Sequence, residues 1–222
     1  MRTFLVMAVL IALLSWGGQS FATTYDLSPI ADTWVYFYLP DNNYGSDSGF
    51  ATDIQNMNPK GLAYLKFDIS SLGGETIQSS TLHLYQWNGV EPYGGGGPTN
   101  LYYSSSNSWS ENSLTWNTVP ATTLSFLDQN PNGGTYVGPS TWNFSWDPSW
   151  GNVVTLEMSE GSSGDQVHWW YSKEYEDNRD RRPYLELTTA SMTPAGVPEP
   201  ITIFLLGFSL IGVAGIRRKF RI

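Results

Sequence analysis

Leu65, Phe67 and Ile69 alternate with Tyr64, Lys66 and Asp68, and further along Leu82 and Leu84 alternate with His83, Tyr85 and Trp87. A period of two lays one set of side chains against a core and turns the other set outward. The same short apolar or alternating runs recur along the chain. They predict strands at Trp34–Leu39, Ala63–Ile69, Ser80–Trp87, Leu101–Ser104, Gly133–Val137, Thr141–Trp146, Val153–Met158, Gln166–Ser172 and Tyr184–Thr189. Turn residues separate them, as in the loop Pro40–Gly49, the pair Gly73-Gly74 and the run Gly94–Gly97. No helical period is convincing before residue 197. About eight to ten short strands at this spacing predict an all-β fold, an antiparallel β-sandwich of jelly-roll type. A barrel is the alternative.

The two ends of the chain read differently. Residues 1–22 have the form of a signal peptide: Arg2, the apolar run Thr3–Leu14, then small residues at Ser20 and Ala22 around Phe21. A single domain follows over 23–189, then a linker of small residues, Thr and Pro over 190–197. The last segment, 198–222, holds Pro198-Glu199-Pro200, an uncharged apolar run over 201–216, and the basic cluster Arg217, Arg218, Lys219 and Arg221. At 1.5 Å per residue the apolar run predicts a single hydrophobic helix of about 24 Å, short for a hydrocarbon core of ~30 Å but extensible by snorkelling arginines. The basic end faces the cytoplasm. Pro-Glu-Pro, span and basic terminus together resemble the PEP-CTERM sorting signal. The first segment implies signal peptidase and secretion machinery, and the resemblance implies an exosortase, with cleavage near Pro198, Glu199 and Pro200. It also implies a precursor transiently anchored in the inner membrane of a Gram-negative bacterium. The product would be secreted or held at the cell surface, where such proteins often accompany exopolysaccharide.

Between the strands lies Trp109-Ser-Glu-Asn-Ser-Leu-Thr-Trp116-Asn-Thr-Val-Pro120. Ser110, Asn112, Ser113 and Asn117 favour turns, and the indoles and Leu114 are too apolar for a mobile loop. The expectation is an ordered connection in which Trp116 is buried as a pin and Glu111 accepts hydrogen bonds from nearby turn amides. The wording resembles the signature of the DNRLRE family, β-sandwich domains of secreted bacterial proteins related to carbohydrate-binding modules, some of which bind alginate. Ala31-Asp32-Thr33-Trp34-Val35, Asn43-Tyr44-Gly45, Leu65-Lys66-Phe67-Asp68-Ile69-Ser70, Tyr171-Ser172-Lys173-Glu174 and Arg182-Pro183-Tyr184-Leu185-Glu186-Leu187 resemble it in order, over about 25–189.

Charge narrows the ligand class. The whole chain carries −9, but the two end segments hold five of its 11 basic residues and one of its 20 acids. The processed domain keeps 6 basic and 19 acidic groups, a net of −13. No nucleic acid is expected as a partner, nor a polyanionic glycan held by simple field attraction. A neutral polysaccharide, or an anionic one bridged by calcium, fits better. With no cysteine, two distant histidines and no metalloprotease, phosphate-loop or dinucleotide motif, no enzyme is expected. A glycan-active enzyme built on an unrecognised carboxylate pair is the remaining alternative. No cofactor is expected. Asp41, Asp47 and Asp53 sit among Asn and Gly in oxygen-rich loops that suit calcium, but their spacing matches no EF-hand.

The aromatic residues point to sugar. If leucine and phenylalanine fill the core, Tyr64, His83, Tyr85, Trp87, Trp170 and Tyr184 face outward. Indole and phenol rings stack on the C–H faces of sugars while their polar tips stay wet. Tyr85, Trp87 and Trp170 are therefore the candidate carbohydrate-binding residues, turned away from Leu82, Leu84, Val167 and Trp169. The loops around Tyr44 and Trp146 are the alternative location. The function expected is an exported sandwich that binds extracellular polysaccharide, the alternative being a matrix protein with no sugar site.

Overall fold

The computed structural model describes residues 20–89, 97–131, 136–161 and 165–192. Eleven strands run through them: β1 (Ser20–Leu27), β2 (Ala31–Tyr36), β3 (Gly49–Gln55), β4 (Asn58–Asp68), β5 (Thr76–Gly89), β6 (Thr99–Ser104), β7 (Leu124–Asn130), β8 (Gly138–Phe144), β9 (Val153–Glu160), β10 (Gln166–Tyr171) and β11 (Tyr184–Met192). The strands are joined in the order β1-β11-β5-β10-β3-β4-β9-β6-β7, with β2 on the second edge of β4 and β8 on the second edge of β5. The registers of β2, β3 and β9 on β4, of β10 and β8 on β5, of β10 on β3, and of β7 and β9 on β6 are all antiparallel. The sheet curls on itself around one core, so the all-β antiparallel sandwich holds.

Two long strands allow that closure. β4 pairs with β3 through Asn58–Gly61 and with β9 through Ala63–Asp68. β5 pairs with β8 through Ser80–Gln86 and with β10 through Gln86–Gly89. Each long strand thus carries the chain from one layer to the next. The β3–β4 turn is tight: Asn56 and Met57 have φ of 50° and 62°, the left-handed geometry of a two-residue hairpin loop.

The core alternates as expected. Leu65, Phe67, Leu82 and Leu84 are buried with Leu156, Met158, Leu185 and Leu187 around Phe50 and Trp142. A second, smaller cluster lies outside β2 and β4, where Ala31, Val35 and Tyr64 are covered by Trp109 and Leu114. The strand expected over 133–137 falls largely on residues outside the description, and Tyr136 and Val137 are not in a strand. β3 and β7, which the periodicity did not reveal, supply pairing partners for β10 and β6. Thr23–Thr189 form one compact unit, apart from the two terminal segments. Of those segments only the start of β1 and the end of β11 are described. The helix expected over 201–216, with Pro198, Glu199, Pro200 and the basic cluster, lies outside the described residues. Among the described residues no helix is long and apolar enough to cross a membrane.

Candidate carbohydrate-binding face

β10 buries Gln166, His168 and Trp170 and presents Val167, Trp169 and Tyr171 on its other side. This corrects the expected face. Trp170 is 0% exposed and packs edge-on against Trp142, 5.4 Å between ring centroids, so it is a core residue. The parity turns on a polar network that the alternation hid. Glu160, at the end of β9, points inward and accepts from the Thr52 hydroxyl, from Gln166 Nε2 at 2.7 Å, and pairs with His168 Nδ1 at 2.7 Å. Gln166 and His168 look like solvent-facing positions in the sequence, yet they satisfy a buried carboxylate. With the polar residues inside, Trp170 follows them in.

Tyr85 and Trp87 do lie on the outer side, and Trp87 is 38% exposed. Their neighbours are Trp169 and Tyr171. Trp87 lies 5.8 Å from Trp169 and 6.1 Å from Tyr171, and Tyr85 lies 5.9 Å from Tyr171, centroid to centroid. Tyr171 in turn stacks on Tyr175 at 3.7 Å, and the Arg181 guanidinium sits 4.7 Å over Tyr85. At the other end Trp169 meets Trp34 at 5.3 Å, which stacks on Tyr44 at 4.4 Å. The rings form one continuous row of contacts from β5 across β10 to β2, its Trp34 end buried. Trp169 and Tyr171, which the sequence reading put elsewhere or left out, belong to it.

Beside this surface is a shallow cleft of about 410 Å³ lined by Ser46, Asp47, Ser48, Gly49, Trp87 and Trp169. Its wall is the loop before β3. Ser172 holds that wall, its Oγ donating to Asp47 O at 2.6 Å and its N–H to Ser48 O at 3.1 Å. Gly49 has no room for a side chain: a Cβ would meet Trp170 O at 2.8 Å and the Trp87 indole nitrogen at 3.2 Å. The bare backbone there leaves room for the Trp87 indole beside the loop. Burial raises the Asp47 carboxyl above its ordinary value, opposed by the Trp34 indole. Rings, hydroxyls and one carboxylate around an open cleft can stack on a sugar and bond its hydroxyls. The other expected aromatic positions divide. Tyr64 is 2% exposed beneath the Trp109 loop, whereas His83 and Tyr184, half-buried, stack 4.3 Å apart at 5°.

Trp116 is half-buried against Phe37, and Trp109 is the buried pin, 7% exposed, its indole donating to Thr155 Oγ1 at 3.0 Å. Glu111 accepts a backbone amide as expected, but the donor is Asp32 N–H, far away in sequence, at 2.8 Å. Asp41, Asp47 and Asp53 do not come together. Among the described residues the carboxylates close enough to share an ion are those of Asp32, Glu111 and Glu174, all within 4.8 Å. There Lys173 Nζ is already in place, 2.9 Å from Glu111 Oε1 and paired with Glu174. An added cation would meet an ammonium.

Residues 23–147, more than half of the chain, match carbohydrate-binding module family 96, and residues 196–219 match the PEP-CTERM protein-sorting motif. The first match ends before β9, β10 and β11, which pair with strands inside it. A comparison with curated proteins finds no match. Among solved structures the chain is similar to the N-terminal CBM22-1–GH10 modules of endo-1,4-beta-D-xylanase 10B from Clostridium thermocellum, complexed with xylohexaose. The identity is 12%, the TM-score 0.29, and the similarity covers 66% of this chain and 29% of that one. The chain therefore spans less than a third of that structure's length.

Proposed function

The chain belongs to carbohydrate-binding module family 96, and from that premise we propose that its sandwich binds a polysaccharide across Trp87, Trp169 and Tyr171, with the Ser46–Gly49 wall as one border. The observation that carries this is the row of contacting rings beside the cleft, which no other described segment covers. A membership in a family of non-catalytic modules supports binding without turnover. The PEP-CTERM motif marks an exported, cell-surface protein. The proposal extends this to exosortase processing near Pro198–Pro200, after the signal peptide is removed and while residues 201–216 hold the precursor in the inner membrane.

The ligand is a neutral glycan, or an anionic one bridged by calcium. The domain's net charge of −13 opposes direct binding of a polyanion, and Asp47 adds a negative group at the cleft itself. A small open surface supports about 4–8 kcal/mol per site, millimolar to micromolar, and repetition along a polymer raises the apparent affinity. The test is affinity electrophoresis of the exported protein in a xylan, a glucomannan, a mixed-linkage glucan, alginate and the host's own exopolysaccharide. Wild type should be retarded by at least one of these without releasing reducing ends. Trp169→Ala and Trp87→Ala, checked for folding, should each bind about tenfold more weakly, a loss of ~1.4 kcal/mol. Equal retardation of all three folded proteins would move the site elsewhere. Retardation of none would favour the matrix reading.

A further inference from the structure

Four segments remote in sequence meet behind the cleft wall. Asp32 is 1% exposed; its N–H donates to Glu111 Oε1 at 2.8 Å and its Oδ2 accepts the Lys173 N–H at 2.8 Å. Lys173 Nζ closes the ring onto Glu111 and Glu174. Asn43 Nδ2 donates to Glu111 O at 2.7 Å and to Leu114 O at 2.8 Å. Gly45 packs so closely on the same residue that a Cβ would lie 2.2 Å from Glu111 O. The chain on either side of these contacts is the cleft. Residues 46–49 form its wall, Ser172 ties that wall down, and Trp34, two residues after Asp32, stacks on Tyr44 and meets Trp169. On the far side Tyr175 backs Tyr171.

We propose that the Asp32–Glu111–Lys173–Glu174 cluster is the positioning element of the glycan site, fixing the 43–49 wall and the 172–175 segment relative to the Trp87–Trp169 rings without touching the ligand. This rests on the glycan reading above. Lys173 is the sensitive member. It bonds three neighbouring carboxylate-bearing residues, two through its ammonium and one through its amide. Without that ammonium, three acids within 4.8 Å repel one another, one of them almost wholly buried. The Trp109 roof has its own anchors: the indole bond to Thr155, and Lys66 Nζ donating to Trp109 O and, at 3.0 Å, to Asn107 O. The wall and Ser172 instead hang on the segments that this ring joins, Asn43 on Glu111 O and Ser172 next to Lys173, so they are what yields.

Four exported variants test this: Lys173→Met, Lys173→Arg, Glu111→Gln as a milder break of the same ring and, for the roof, Lys66→Met. Against the five polysaccharides named above, Lys173→Met and Glu111→Gln should bind about 5–10-fold more weakly while still folded, because a loosened site loses its pre-organisation. Lys173→Arg should restore binding to within about twofold, and Lys66→Met should lower the melting temperature yet bind like wild type when folded. Amide hydrogen exchange gives a readout that needs no ligand. The Ser172 and Lys173 amides, which donate to Ser48 O and Asp32 Oδ2, should exchange about tenfold faster in Lys173→Met than in wild type. Unchanged exchange at both amides would overturn the proposal whether or not a glycan binds, and so would wild-type affinity in folded Lys173→Met. If wild type binds none of the polysaccharides, the glycan reading fails, and faster exchange alone still establishes the cluster's hold on the wall.

Discussion

The outer side of β4 and β9 and the outer side of β5 and β10 are made of similar residues, yet among the described residues one is roofed and the other is open. The first carries Tyr64, Lys66, Thr155 and Glu157, all buried under or beside the Trp109 loop, so β4 and β9 are buried on both faces. The second carries His83, Tyr85, Trp87, Trp169 and Tyr171, and β10 alternates strictly between buried and half-buried. Among the described residues these rings are bordered by the 44–49 loop, Trp34, Tyr175, Arg181 and Tyr184, and none of these lies across them as the Trp109 loop lies across Tyr64. Alternation in a strand reports which side faces the core. Whether the other side is wet is decided by a segment arriving from elsewhere, here nineteen connecting residues between β6 and β7. A polar and aromatic face that no loop covers is where a ligand can lie.

The largest expected effects come from tryptophans on the roof and in the core. Trp109→Ala and Trp170→Ala should each cost about 3–5 kcal/mol, lowering the melting temperature by roughly 10 °C or more in a chain of this size. Trp116→Ala, half-buried against Phe37, should cost about 1–2 kcal/mol. Differential scanning calorimetry of the three would settle the ranking. A Trp109→Ala protein that melts like wild type would mean that the roof is loose and that the two faces do not differ.

That ranking also marks what the sequence could say. Leu65, Phe67, Leu82 and Leu84 announce their side because each faces a core of their own kind. The Trp109 loop was legible as ordered, since two indoles and Leu114 need cover. Which indole is buried was not, because the choice depends on Lys66 and Thr155 waiting beneath Trp109. β10 misled for a related reason. Gln166 and His168 are polar by type, but their partner Glu160 comes from another strand and sits inside, so the apolar pattern was read one residue out of step. The motif residues Asp32, Glu111 and Lys173 were visible as words, whereas their contact with one another exists only in the folded chain.

A smaller effect separates the faces by pH. Burial pushes the Glu157 carboxyl up to about 7, the Tyr64 phenol opposing, and burial pushes Asp53 to about 6, with Gln55 opposing. A carboxyl raised in the folded state binds more protons folded than unfolded between its two values. Stability is therefore greatest at the acidic end of that window and falls as pH rises from about 4.5 to about 7, by roughly 1–3 kcal/mol for Glu157. The melting temperature should be several degrees higher at pH 5 than at pH 7.5, and Glu157→Gln should flatten that slope more than Asp47→Asn on the wall of the open face does. A wild-type melting temperature that rises from pH 5 to pH 7.5 would show that Glu157 is not desolvated by the roof.

The smallest stability effect belongs to the open face, and there smallness is the informative result. Trp87 is 38% exposed, and its ring leans on Trp169 and Tyr171 rather than filling the core. Trp87→Ala removes area that water already reaches, so it should cost no more than about 1 kcal/mol, against 3–5 for the roof and core tryptophans. Its effect on glycan binding should exceed its effect on folding, the reverse of Trp170→Ala, although Trp170 lies one residue from Trp169. Stacking uses no charge, so affinity for a neutral polysaccharide should stay within about twofold between 0.05 and 0.5 M salt. Calorimetric titration at both salt concentrations, with melting measured on the same samples, reads both quantities. A Trp87→Ala protein that loses several kcal/mol of stability would place this ring in the core after all. Binding that collapses in high salt would mean that Arg181 or Asp47, and not the rings, holds the ligand.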